Sequence, residues 1–323
     1  MPDRESTPCN VTLEMVREAA NRIHPYVHRT AVSTCQMINR IAGCELFFKC
    51  EQLQKVGAFK FRGACNAVMK LSDVDAQRGV LTHSSGNHAQ ALALAANLRG
   101  IRAHVVMPED SSIVKRQAVE DYGAVVVTCA PVLAARESTA AEVQRTTGAT
   151  FIPPYDHVDI IAGQGTAALE LLEDVPGLDA VVAPVGGGGL ISGTCVVVDA
   201  LSPSTRVFAG EPFGADDASQ SKQAGVLIPQ TSPNTIADGL RTSLGELTWP
   251  YVRDYVEDVV VVDEDQIVHA MRLLWERAKL LVEPSASVAL AAVLDDRFRQ
   301  IKRFNKIGVI LSGGNVDLNH LPW

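Results

Sequence analysis

The chain has 323 residues, 47% of them hydrophobic and 20% charged, and a net charge of −8. That length is more than one hydrophobic core usually fills, so two domains of a globular protein are expected. The acidic balance argues against a nucleic-acid partner, and no apolar run approaches the roughly 20 residues of a membrane span.

The first eight residues, Met-Pro-Asp-Arg-Glu-Ser-Thr-Pro, lack the apolar core of a signal peptide. Residues 12–23 put Leu13, Val16, Ala20 and Ile23 on one helical face, and Glu45–Cys50 reads as a strand. A helix is expected over about 61–71. From residue 79 strands near 79–83, 102–107, 124–128 and 149–152 alternate with helices near 87–99, 112–122 and 133–146. Pro153-Pro154 closes that block. The rhythm resumes with helix 162–173, strand 179–184, helix 190–200 and strand 205–210. A strand near 258–262, helices near 264–279 and 284–295, and the strand Ile307–Leu311 complete it. This βαβ alternation implies open parallel sheets flanked by helices. The layout predicted is a small domain, 79–153, inserted into a larger one made of 1–78 and 154–323. The seven cysteines are odd in number, scattered and without a C-x-x-C pair, which fits reduced thiols in a cytoplasmic protein.

The chemistry centres on Lys60, which stands between Phe59 and Phe61 after Gly57-Ala58. Apolar surroundings favour the neutral amine, and a neutral lysine amine forms a Schiff base with an aldehyde. Three strand-to-loop junctions carry unusual residues, and strand ends in open α/β sheets are where ligands bind. The first, Thr82-His-Ser-Ser-Gly-Asn-His88, crowds Ser84, Ser85, Asn87 and His88 into one turn before a helix, more polar groups than an N-cap requires. The second is the run Gly186-Gly187-Gly188-Gly189 between a strand and a helix. Its bare backbone suits a phosphate, but it matches neither the dinucleotide fingerprint nor the P-loop. The third is Leu311-Ser312-Gly-Gly-Asn-Val316. A lysine amine, a phosphate loop and polar strand ends together describe a site for a phosphorylated aldehyde, and pyridoxal 5'-phosphate is the cofactor of that description.

Phe59-Lys60, Ser-Ser-Gly-Asn-His, the tetraglycine run and Ser-Gly-Gly-Asn, in this order, resemble the fold-type II pyridoxal-phosphate enzymes, which have the tryptophan synthase β-like fold. Within them the chain resembles the serine racemase and serine/threonine dehydratase family. The likeness extends from about residue 12 to 318 and takes in Ile161–Thr166, Thr235–Gly239, Trp275–Arg277 and Val282–Pro284. It implies that Lys60 holds the cofactor and acts as one acid/base, and that Gly186 to Gly189 bind its phosphate. Asn87 is expected at the ring hydroxyl, Ser312 at the ring nitrogen and Phe59 against the ring. Ser85 would be a second acid/base on the opposite face, which racemisation needs and elimination of the hydroxyl to pyruvate and ammonia does not. Ser84, Ser85, Asn87, His88, Arg136 and Ser243 would contact an amino-acid substrate. Arg136 could also admit a β-carboxylate such as that of 3-hydroxyaspartate.

Glu211-Pro-Phe-Gly-Ala-Asp-Asp217 follows a strand, and two carboxylates with a carbonyl between them can meet at a hard cation. The resemblance makes Glu211, the carbonyl of Ala215 and Asp217 a site for magnesium, with calcium or manganese as alternatives. It also implies a homodimer. Gln90, Lys115, Tyr122 and Asn315 match a site for ATP as an effector. Cys35 and Gln36 replace a serine pair there, and Val56 a threonine. Tyr155 stands where the animal racemases have asparagine. Glu283 is expected near the cofactor, and with the last motif close to Trp323 no C-terminal regulatory domain is expected.

Overall fold

The computed structural model describes residues 11–111, 113–301 and 304–323. Ser112, expected to begin a helix, and the first eight residues lie outside them.

The helices in chain order are α1 (Leu13–Ile23), α2 (Gln36–Ala42), α3 (Lys60–Lys70), α4 (Asp73–Arg78), α5 (Asn87–Arg99), α6 (Ile113–Asp121) and α7 (Leu133–Thr147). They continue with α8 (Val158–Asp174), α9 (Gly189–Leu201), α10 (Asp217–Ala224), α11 (Trp249–Asp254), α12 (Glu264–Leu273), α13 (Pro284–Leu294) and α14 (Asp296–Ile301). The strands are β1 (Val32–Ser33), β2 (Glu45–Cys50), β3 (Val80–His83), β4 (Ala103–Pro108) and β5 (Val125–Cys129). Then come β6 (Thr150–Phe151), β7 (Ala180–Pro184), β8 (Arg206–Pro212), β9 (Val256–Val262) and β10 (Lys306–Leu311).

The strands form two sheets. One has the order β1-β2-β10-β7-β8-β9, drawn from both ends of the chain; the other, β5-β4-β3-β6, comes from residues 80 to 151. All pairings are parallel except β1 with β2. The central strands explain themselves. Ala180-Val-Val-Ala-Pro184 is buried at every position, as a parallel strand covered by helices on both faces must be. Helices α1, α8 and α9 pack one face of the large sheet, and α12 and α13 pack the other. Helix α3 is shared: Phe61, Ala64, Cys65 and Val68 lie in one apolar cluster with Leu92 of α5, Val105 of β4 and Ile160 of α8. The lysine at its first position therefore stands where the two layers meet.

Most expected elements form close to their predicted limits. The helix expected over 264–279 instead ends at Leu273, widens into one π turn, Leu274–Ala278, and stops at Lys279 in the left-handed region (φ 61°). Trp275 holds that turn by donating its indole N–H to the Val282 carbonyl at 3.0 Å. Helix α10 was not expected, because Asp-Ala-Ser-Gln-Ser-Lys-Gln-Ala has no apolar period. Its first turn is held by a residue of the preceding strand, Glu211, whose carboxylate accepts the N–H groups of Ala218 (2.9 Å) and Ser219 (2.8 Å). No helix among the described residues is long and apolar enough to cross a membrane. The described cysteines, Cys35, Cys44, Cys50, Cys65, Cys129 and Cys195, are all free.

Candidate active site

The turn before Lys60 is strained and tied down. Val56 has φ 56°, unusual for a β-branched residue, and Gly57 follows at φ 69°. The loop after β10 holds both. Asn315 Nδ2 donates to the Val56 carbonyl at 2.7 Å, and the Gly314 N–H donates to Gly57 O at 2.9 Å. Two residues on, the Phe59 N–H donates to Ser312 O at 3.0 Å, and Ala58 bridges Gly313. The lysine turn and the Ser312–Asn315 loop, up to 259 residues apart in sequence, are thus one structure.

Lys60 Nζ donates to the Pro154 carbonyl at 2.7 Å, 5.2 Å from the centre of the Phe59 ring and 6.0 Å from that of Tyr155. Removal from water lowers its pKa to about 8, with the Glu283 carboxylate opposing the shift. An appreciable neutral fraction exists near pH 7, which is the form that attacks an aldehyde.

The Ser84–His88 turn opens α5 with Ser84 and Ser85 half-buried. Asn87 Nδ2 donates to Glu283 Oε1 at 2.9 Å and Oε2 at 3.2 Å, and its Oδ1 accepts from Asn315 Nδ2 at 2.9 Å. These partners fix which way the Asn87 amide faces. Burial, and then Asp238, push the Glu283 carboxyl up to about 7 against the donors Asn87 and Asn315. His88 is buried, with Nε2 3.0 Å from the Ile152 carbonyl. Desolvation, and then Lys60, lower its pKa to about 3, so it is neutral. A carbonyl can only accept, so Nε2 carries the proton and the unpartnered Nδ1 is an acceptor.

The tetraglycine run is buried throughout and leads into α9, whose first N–H groups point out of the helix end. Gly188 has φ +88°, and a Cβ on it would lie 2.6 Å from Thr248 Cβ. A Cβ on Gly187 would lie 2.2 Å from the Tyr155 ring. The loop therefore admits no side chain. A bare helix end and a lysine of lowered pKa fit a phosphorylated aldehyde, and Ser312, 3% exposed at the end of β10, offers a neutral hydroxyl in the same loop as Asn315.

Near the end of β8, Glu211 is completely buried and burial pushes its carboxyl well up. Asp217 accepts the Leu244 N–H on Oδ2 at 3.0 Å, while its buried Oδ1 has no partner. Burial pushes Asp217 up to about 6. Ala215, in the turn between them, is also buried. An orphaned carboxylate oxygen beside a second buried carboxyl fits a hard cation. No group of three or more His, Cys, Asp or Glu side chains gathers among the described residues, so a cation here would also draw on backbone carbonyls and water.

The other expected contacts are drawn from several elements. Arg136 on α7 is partly buried, close enough to His83 at the end of β3 to help hold its pKa down after desolvation, and its buried Nε has no partner. Ser243 Oγ accepts the Gln230 N–H at 2.8 Å. Of the four residues matched to an ATP site, Asn315 lies on Asn87 and Lys115 pairs with Asp238, while Gln90 is in the first turn of α5 and Tyr122 packs under that helix. Sequence reading missed a buried network beside Lys60. Arg62, fully buried, donates to Glu51 from Nε (2.7 Å) and Nη2 (2.8 Å), and to Glu170 from Nη1 and Nη2 (2.8 Å each). Buried Lys49 joins at Glu170 Oε2, 2.7 Å. No local pattern marks these residues, which come from three separate segments.

Two mainly parallel sheets with a lysine, a glycine cradle and polar strand ends gathered at their junction define a fold-type II pyridoxal-phosphate enzyme. Residues 23–313 match the family described as pyridoxal-phosphate dependent enzyme, and the chain belongs to it. It is 49% identical over 313 residues to the serine racemase of Dictyostelium discoideum, covering 96% of this chain and 97% of that one. It is 48% identical over 312 residues to the beta-hydroxyaspartate dehydratase of Paracoccus denitrificans, covering 97% and 98%. The structure of maize serine racemase superposes with a TM-score of 0.95 at 51% identity, covering 96% and 95%.

Proposed function

We propose that this enzyme interconverts L- and D-serine with two acid/bases, Lys60 and Ser85, and also eliminates water from serine to give pyruvate and ammonia. The observation that carries the reading is Lys60, held at the layer junction with its pKa lowered to about 8. Pyridoxal phosphate supplies the electron sink that makes the substrate α-carbon acidic. Gly186 to Gly189 and the N-terminus of α9 hold its phosphate, and Phe59 flanks its ring. The Asn87 amide, oriented by Glu283 and Asn315, donates at the ring hydroxyl. Ser312 meets the ring nitrogen as a neutral partner, which moderates the sink. Lys60 Nζ moves the proton on one face and Ser85 Oγ on the other, with Ser84, His88 and Ser243 around the substrate carboxylate. A magnesium ion at Glu211, the Ala215 carbonyl and Asp217 braces the loop after β8. The same proposal includes the 79–153 small domain, a homodimer and a cytoplasmic setting. ATP acting through Lys115 would have to displace it from Asp238.

Purified holoenzyme with magnesium and L-serine is expected to yield both D-serine, by chiral chromatography, and pyruvate. Ser85→Ala should lose D-serine formation by about a hundredfold or more while pyruvate persists. Wild-type protein that makes pyruvate and no D-serine would remove the racemase half. Removing divalent ions should lower the melting temperature; restoring magnesium to a hundred times its Kd should raise it by about 5 °C. Asp217→Asn should abolish that response. An unchanged melting temperature would count against the cation site.

A second reading, dehydration of 3-hydroxyaspartate, is favoured by the buried, unpartnered Nε of Arg136. A guanidinium without an anion suits a substrate that brings an extra carboxylate. On this reading Arg136→Gln lowers kcat/KM for threo-3-hydroxyaspartate by about tenfold or more and affects serine less. Equal losses on both substrates would refute it.

A further inference from the structure

The Thr235–Gly239 stretch has no part in the chemistry above, yet it meets the small-sheet layer. Lys115 Nζ, on α6, donates to Asp238 Oδ2 at 2.7 Å. Asp238 is firmly seated. The N–H of its neighbour Gly239 donates to Ser285 Oγ at 3.0 Å, and a Cβ on Gly239 would stand 3.0 Å from that oxygen and 4.0 Å from Glu283 Oε1. Ser285 belongs to the first turn of α13, and Glu283, just before it, is the carboxyl that receives Asn87. The layer carrying α5 and α6 thus grips one corner of the other layer twice. Asn87 does so on Glu283 inside the cleft, and Lys115 does so on Asp238 at the rim, where the two side chains are 40% and 44% exposed. Both rim charges reach Glu283, Asp238 raising its proton affinity and Lys115 lowering it.

We propose that Lys115 and Asp238 are positioning residues, whose ion pair straps α6 to the Asp238–Ser285 corner and so keeps the Ser84–His88 turn within reach of Glu283. The inference rests on the cofactor-cleft reading above. A single long side chain at the rim cannot add much binding energy, because exposed pairs are weak and screened by salt. Its effect is on geometry. With the strap open, the Asn87 amide loses its fixed orientation and the turn that carries Ser85 moves away from Lys60.

The test compares Lys115→Met, Asp238→Asn and the exchanged pair Lys115→Glu with Asp238→Lys, all as holoenzymes. Two quantities are read: the rate at which bound pyridoxal phosphate passes to an excess of an unrelated apo-acceptor, and KM for L-serine. Each single variant is expected to raise both by about fivefold, and the exchanged pair to restore them. Salt at about 0.5 M should raise both in the native protein and add nothing in Lys115→Met. An exchanged pair no better than the single variants, or a native protein indifferent to salt, overturns the strap. Cofactor release is measured without turnover. A chain that makes neither D-serine nor pyruvate therefore fails the functional proposal and still tests the strap.

Discussion

Lys60→Ala is expected to lose both D-serine and pyruvate formation, by at least about a thousandfold, while the protein remains folded. The magnitude follows from the two tasks that one amine performs, holding the cofactor and moving the α-proton. The fold is expected to survive because Nζ makes one hydrogen bond, to the Pro154 carbonyl, and the helix around it is anchored by other residues. The readout is spectroscopic as well as kinetic. Native protein should show a cofactor absorption band that borohydride abolishes by reducing the Lys60–cofactor bond, and the variant should not. Only the neutral amine attacks the aldehyde, and with a pKa of about 8 its fraction grows as pH rises through that value. Cofactor capture by the apo-protein should therefore speed up between about pH 7 and 9, then level off. A variant that retains the borohydride-sensitive band would show that another amine holds the cofactor.

Arg62→Ala carries the largest expected effect on stability, about 3–5 kcal/mol. Arg62 is completely enclosed, and its guanidinium answers two carboxylates, Glu51 with 0% and Glu170 with 13% side-chain exposure. Deleting it leaves the Glu51 charge buried without its cation, and Lys49 stays engaged on Glu170 and the Thr30 carbonyl. Against a total stability of about 5–15 kcal/mol, such a loss should show as a large fall in the urea midpoint. Adding Glu51→Gln to Arg62→Met should recover part of the loss, because the remaining group is then neutral. No recovery would mean that the cost lies in the cavity rather than in the stranded charge. The network also has a pH signature. Burial raises the Glu170 pKa, but Arg62 and Lys49 outweigh it and hold the carboxyl below its ordinary range. Stability from this group is full above the ordinary carboxylate pKa and drains away as pH falls through the depressed value.

Much of the molecule follows from its local pattern. The strand over 45–50 and the alternation from residue 79 depend on apolar runs and breakers within a few residues, and the structure forms them there. The lysine between aromatics, the tetraglycine run and the Ser-Ser-Gly-Asn-His turn were also visible, because each is chemically odd for a loop. Elements without an apolar period were not. Helix α10 exists because Glu211 caps it from another element, and the π turn after α12 because Trp275 finds the Val282 carbonyl.

The amino-acid sequence alone therefore determined the class of fold and the cofactor chemistry, since residue type and short-range spacing limit both. Only the tertiary structure decided how those residues are held. It joined the lysine turn to the Ser312–Asn315 loop, aimed Asn87 with Glu283, set Lys60 on the Pro154 carbonyl and enclosed Arg62 between Glu51 and Glu170. It also paired Lys115 with Asp238 across the two layers. The reason is common to all of these. Burial and charge pairing, which set proton affinities and fix side-chain orientation, depend here on partners 94 to 259 residues away, Glu51 excepted, and no local pattern encodes them.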